Sequence, residues 1–203
     1  MCSLVDLPVG NAGGPPAAQN QEWREPGDFT EQELRTLPPY CRAQRYIRRT
    51  RNLQVPEAEI AKWENALGHD YMHLHHYCWA LNSLNRGQRA TNEQLRHRYF
   101  DNAVRNMEYV QDAADPAFVL MPEISVKKGF ALRLMGQDAA ASREFLLAIR
   151  LRPDYSPAYA ALSDYYKDLG ELEEARQVLE DGLTKAPKST TLKRKLEELE
   201  TQP

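Results

Sequence analysis

The chain has 203 residues, with 26 basic and 29 acidic side chains and a net charge of -3. That length suits one domain with an extension, and the charge excludes a general nucleic-acid binder, which carries a strongly basic face. Hydrophobic residues make up 42% and charged residues 27%, and there are three cysteines. Those values describe an ordinary folded chain with enough length for a core, and exclude a disulfide-dense scaffold.

The chain begins Met1-Cys2-Ser3-Leu4, without the basic and apolar segments of an export leader. Residues 1–28 contain Pro8, Pro15, Pro16 and Pro26 among several glycines, and read as a disordered tail. Within it, Cys2 reads as an unpaired thiol. A helical module is expected over 29–69. Thr30 and Glu33 form a capping-box pattern, and the short helix they start ends before Pro38-Pro39. Arg42, Arg45, Arg48, Arg49 and Arg51 follow, as a solvated face or as a patch for acidic partners. Pro56 opens a helix that Gly68 ends. Asp70 is placed to cap the next helix, which runs to Leu84 and breaks at Asn85-Arg86-Gly87. Thr91 is placed to cap a long helix ending near Asp115-Pro116. Its apolar stripe is Leu95, Tyr99, Val104, Met107 and Val110. No segment shows the period of a strand, so the chain reads as all-α.

A shift of 34 residues superposes the C-terminal half on itself. Gly136 falls on Gly170, Ala141 on Ala175, Phe145 on Leu179, Leu132 on Tyr166 and Pro153 on Pro187. Glycine suits a tight turn between paired helices, alanine permits their close approach, and proline stops the second helix. These residues resemble the tetratricopeptide repeat, a 34-residue helix-turn-helix. Two units lie at 122–155 and 156–189. The first departs from the pattern at Ser125 and Lys128, which loosens its packing. A divergent hairpin with a long turn is expected at 70–121, from Cys78, Leu81, Ala103, Met107 and Pro116. A capping helix is expected at 190–203, with Leu192, Leu196 and Leu199 on one stripe. More broadly, Leu37-Pro38-Pro39-Tyr40-Cys41 and Leu74-His75-His76-Tyr77-Cys78 before paired repeats look like a group of small bacterial tetratricopeptide-repeat proteins, whose members tend to carry an export leader. That likeness implies a periplasmic or exported protein; the alternative is a cytoplasmic one.

The resemblance implies an α-solenoid in which the first helix of each hairpin lines a concave groove for a partner protein or peptide. The inward positions are His75, Trp79, Asn82, Glu123, Val126, Phe130, Arg133, Asp164 and Lys167. Family members that clamp a C-terminal carboxylate use Lys and Asn there. This chain has His75/Trp79 and Val126/Phe130, which favours a peptide with an apolar anchor. The expected role is a non-catalytic scaffold without cofactor, open to membership of a larger assembly.

The alternative is metal binding by the cluster from His69 to Cys78. His69, His73 and His76 lie at i, i+4 and i+7, one stripe of a helix, and imidazole and thiolate suit Zn, Cu or Ni. Cys78 points away from that stripe. No Cys-x-x-Cys, His-Glu-x-x-His, P-loop or dinucleotide pattern is present, so no motif supports an enzyme. Cys41 and Cys78 stand either as a disulfide or as two free thiols.

Overall fold

A computed structural model describes residues 22–201; most of the expected tail, with Cys2, lies outside the described residues. The described residues form eleven α-helices and one 3-10 turn. The helices are α1 (Glu31–Thr36), α2 (Pro39–Ala43), α3 (Arg45–Thr50), α4 (Glu57–Leu67), α5 (Leu74–Arg89), α6 (Glu93–Ala113), α7 (Met121–Leu134), α8 (Asp138–Leu151), α9 (Ser156–Asp168), α10 (Leu172–Lys185) and α11 (Thr190–Glu200). The 3-10 turn, His69–His73, lies between α4 and α5.

Helices α5 to α10 pair as α5/α6, α7/α8 and α9/α10, and each hairpin packs on the next. The turns at Gly136 (φ 72°) and Gly170 (φ 80°) are left-handed, where a side chain would be strained. Ala141, Ala175, Leu179 and Ala148 are fully buried between the helices, with Phe145 1% exposed. This is an all-α solenoid. Helix α11 closes its end: Ser189 caps it on the Leu192 N–H, and Leu192 and Leu199 are buried against Tyr159 and Leu179.

The first hairpin differs from expectation in three ways, at the end of α5, at its start and at the cap of α6. Contacts of Gly87 with Phe100, Ser83 with Asn102 and His76 with Asn106 run antiparallel, and α5 continues through Asn85-Arg86-Gly87 to Arg89. The connection to α6 is therefore short, and the extra length is helical. Gly87 is no breaker: a Cβ there would lie 2.5 Å from the Phe100 ring. Glycine in mid-helix costs roughly 1 kcal/mol, which close helix packing offsets here. The start of α5 also differs. Asp70 falls in the 3-10 turn, and α5 begins at Leu74 without a side-chain cap. The cap of α6 is Asn92, not Thr91, since Asn92 Oδ1 accepts from the Leu95 N–H.

Lys128 and Ser125, the departures in the first regular repeat, do not leave a loose interface. Lys128 is 9% exposed, and its Nζ lies 3.0 Å from Glu144, 3.3 Å from Glu108 and 2.9 Å from the Gln111 amide oxygen. Gln111 in turn donates to Ser125 Oγ and Glu144. A satisfied polar network joins α6, α7 and α8 where loosened packing was expected.

Gly129 is the tightest crossing of α7 and α8. A Cβ there would lie 2.4 Å from Phe145 and 3.0 Å from the Ala141 backbone oxygen. Gly129→Ala is expected to lower unfolding free energy by about 1–3 kcal/mol in urea titration. An unchanged midpoint would mean that α7 and α8 can separate without loss.

Candidate interaction face

The residues before α5 decide how much of the solenoid is accessible. Residues 22–28, assigned to the tail by composition, are held on α5. Arg86, 7% exposed in the last turn of α5, donates from Nε and Nη2 to both Glu33 carboxylate oxygens, at 2.7 and 3.0 Å. Its remaining donors reach the backbone oxygens of Arg24, Glu25 and Asp28. All five guanidinium N–H groups are engaged. Glu33 also completes the expected capping box with Thr30. Burial pushes the Glu33 carboxyl up, but Arg86 and the Thr30 N–H more than offset it and hold it at about 2.

The same segment lies over Trp79 and Asn82 of α5, two of the positions expected to face inward. Gly27 rests on the Trp79 indole, where a Cβ would be 3.2 Å from Nε1. Asn82 is fully buried and donates to the Pro26 oxygen. Tyr40, at the start of α2, reaches Glu123 across 3.4 Å, and Tyr77 donates to the same carboxylate at 2.8 Å. Cys41 and Cys78 form a disulfide between α2 and α5. Phe29, Leu34, Leu37 and Ile47 bury their side chains in the same core.

Nine residues were placed on the groove from sequence, and the structure separates them. Trp79 and Asn82 are covered by the chain's own residues 26–27, and Glu123 is engaged by Tyr40 and Tyr77. His75 stacks on Tyr46 of α3 and is not on the open part of the face. Phe130 is 39% exposed. Val126, Arg133, Asp164 and Lys167 are half-buried. Arg133 pairs with Asp168, and Lys195 with Asp164. A pocket of about 280 Å³ opens where the N-terminal module meets this stretch, between Leu37, Leu81, Leu84, Glu123, Lys127 and Phe130. Lys127 and Leu37 were not placed at the site from sequence. Lys127 is one step from Val126 on α7, and the Leu37-Pro38-Pro39 segment carried no signal of its destination.

The histidines are brought together as a packed aromatic row, not as a ligand set. His76 lies 3.8 Å from the Tyr109 ring and 4.8 Å from that of Trp79, with Nδ1 donating to Asn106. His73 contacts the Tyr109 hydroxyl, and His75 donates from Nδ1 to the Met72 oxygen. Burial lowers the pKa of His75 and His76. His69 is exposed in the 3-10 turn, outside the α5 stripe, and the Cys78 sulfur is committed to its bridge. Among the described residues no group of three or more His, Cys, Asp or Glu is placed to hold a metal ion. Nor is any of the described helices long and apolar enough to cross a membrane.

The arrangement generates two expectations. The Cys41–Cys78 bridge spans 37 residues, which corresponds to about 4 kcal/mol in the chain-entropy model. Replacing both cysteines by serine is expected to lower global stability by about that amount, and to speed amide exchange in residues 22–50 while α8 to α10 keep theirs. Uniform exchange changes would show that the module is not a separable layer. Glu33 has its folded pKa held below the unfolded value of 4.5. Its contribution is therefore present above pH 4.5 and is lost as pH falls toward 2. Glu33→Gln should remove that part of the acid destabilisation in urea titrations; an identical pH profile in both proteins would contradict the assignment.

Comparison with known proteins agrees with this architecture. A family model described as tetratricopeptide repeat matches residues 156–188. Sequence comparison with curated proteins gives no match. Among solved structures, a thermophilic TPR protein from Thermus thermophilus aligns over 81% of this chain and 80% of its own, at 19% identity and a TM-score of 0.60. The second TPR domain of human RPAP3, solved in complex with an HSP70 peptide, aligns over 66% of this chain and 99% of its own, at 20% identity and a TM-score of 0.45. The Sgt2 TPR domain from Aspergillus fumigatus aligns over 60% and 76%, at 22% identity and 0.45. Residues 156–188 match the tetratricopeptide repeat, and the chain has the fold of a tetratricopeptide-repeat protein.

Proposed function

We propose that the chain is a non-catalytic adaptor that binds a segment of another protein along the open stretch of its first-helix face, from Phe130 on α7 to Lys167 on α9. The observation that carries this reading is Phe130. It is a large aromatic side chain left 39% exposed on a face whose neighbouring aromatic, Trp79, is covered by the chain itself. Exposed aromatic rings beside charged groups are typical anchors for a partner. Lys127 is exposed and Lys167 half-buried, and neither has an ion-pair partner among the described residues. The pocket beside Phe130 has room for one apolar side chain. A segment with an apolar anchor and nearby carboxylates matches both features.

With Trp79 and Asn82 covered, the binding stretch runs from the pocket beside Leu81, Leu84 and Phe130 along the two repeats. One modest interface is the expectation. A photo-reactive phenylalanine analogue at position 130 is expected to cross-link a partner in the native cell extract. The same analogue at Leu146, exposed on α8, serves as the control. A partner captured at 130 and not at 146, and lost on Lys127→Glu with Lys167→Glu, supports the reading. Equal capture at both positions, or none at 130, removes it.

A further inference from the structure

A second pocket lies where α3 of the N-terminal module meets His75 at the start of α5. It is an open cavity of about 540 Å³ lined by Arg45, Tyr46 and Arg49 of α3, with Met72 and His75 opposite. Its floor is rigid. Gln44, 3% exposed, accepts from the Tyr46 and Ile47 N–H groups and donates to the Met72 oxygen, tying α3 to the 3-10 turn. The Tyr46 ring is stacked on His75, with centroids 5.1 Å apart, and meets Trp79 edge-on.

Its walls are unusual for a surface that meets only water. Tyr46 is 48% exposed and Met72 55% exposed, so two large apolar side chains line the cavity open to solvent. No carboxylate lines it. Arg45 and Arg49 are exposed and make no ion pair among the described residues, whereas their neighbour Arg51 pairs with Asp28. The chain carries a net charge of -3, so this concentration of unpaired guanidinium groups runs against its overall balance.

We propose that this pocket is a second docking site, for an acidic peptide segment of a partner protein. An aromatic or aliphatic side chain sits between Tyr46 and Met72, and flanking carboxylates pair with Arg45 and Arg49. The charge of the walls selects acidic over neutral segments, since Arg forks match carboxylates in two-point hydrogen bonds. The exposed Tyr46 and Met72 side chains set the need for an apolar anchor, because exposed charge pairs alone contribute little. The site goes beyond the proposed adaptor face and shares no residue with it.

The test uses the full chain with its disulfide intact. The probe is a capped pentapeptide of two glutamates, one tryptophan and two glutamates, beside its counterpart with glutamine in place of glutamate. Binding is read from amide and methionine-methyl chemical shifts. The expected result is saturable binding with a Kd below about 1 mM, shifts centred on Tyr46, Met72 and His75, and at least about tenfold weaker binding of the glutamine peptide. Arg45→Ala with Arg49→Ala is expected to weaken the glutamate peptide by about tenfold or more, while Leu146→Ala on α8 leaves it unchanged. Both arginines are exposed, so an unaltered melting temperature shows that the fold is retained. Equal binding of the two peptides, shifts centred on Phe130, or no saturable binding would overturn the proposal. Failure here leaves the cross-linking result at position 130 untouched, so the two readings fail separately.

Discussion

The buried Arg86 guanidinium sets what the rest of this molecule can do. A cation at 7% exposure is tolerated only when its charge is paired and its donors are used. Here one carboxylate and three backbone oxygens, all from residues 24–33, meet that demand. The consequence is long-range. A segment that would otherwise run free is folded against α5, and Phe29 and Leu34 enter the core with it. Satisfying this one side chain in the last turn of α5 helps fix residues 24–33 over the first hairpin, together with the Asn82–Pro26 hydrogen bond and the Cys41–Cys78 bridge. Breaking such a pair from one side costs roughly 3–5 kcal/mol, because it leaves a charge buried and alone.

Much of the solenoid was legible because its rules are local and periodic. Gly136 and Gly170 have positive φ, Ala141 and Ala175 are fully buried, and the separation between members of each pair is one repeat. A family model finds the same unit at 156–188. The capping helix was legible for the same reason, since its leucine stripe is confined to eleven residues. What the sequence hid are residues with two functions. Gly87 looks like a helix breaker until Phe100 is known to lie against it. Glu33 looks like a capping-box member and is one, yet the same carboxylate binds a guanidinium 53 residues away. Lys128 looks like a defect in the repeat until Glu108 and Glu144 are seen around it.

The candidate face was harder still. The repeat register places His75, Trp79 and Asn82 on the inward positions, and it carries no information about what lies over them. Coverage by residues 26–40 depends on contacts such as Asn82 to Pro26, at a separation of 56 residues, and Tyr40 to Glu123, at 83. No local spacing encodes these. The Leu37-Pro38-Pro39-Tyr40-Cys41 segment was visible as a pattern, but its purpose is a matter of destination: it delivers Tyr40 and Cys41 to α5 and α7.

A covalently tied cover differs in kind from a competing ligand. A free peptide must reach the first-helix face by diffusion, whereas a tethered segment acts at a high effective concentration set by its short reach. The disulfide shortens that reach further, and the Arg86 cluster adds a second fixed point 53 residues from Glu33 in sequence. A partner in the proposed adaptor role therefore gains little by competing for Trp79 or Asn82. It gains by filling the pocket at the rim of the cover, where Leu37 of the module and Phe130 of the repeat line the same cavity. In that geometry the N-terminal module is part of the binding surface, and its packing positions one wall of the site. Selectivity then rests on the join between module and repeats, where this chain departs most from a plain stack of hairpins.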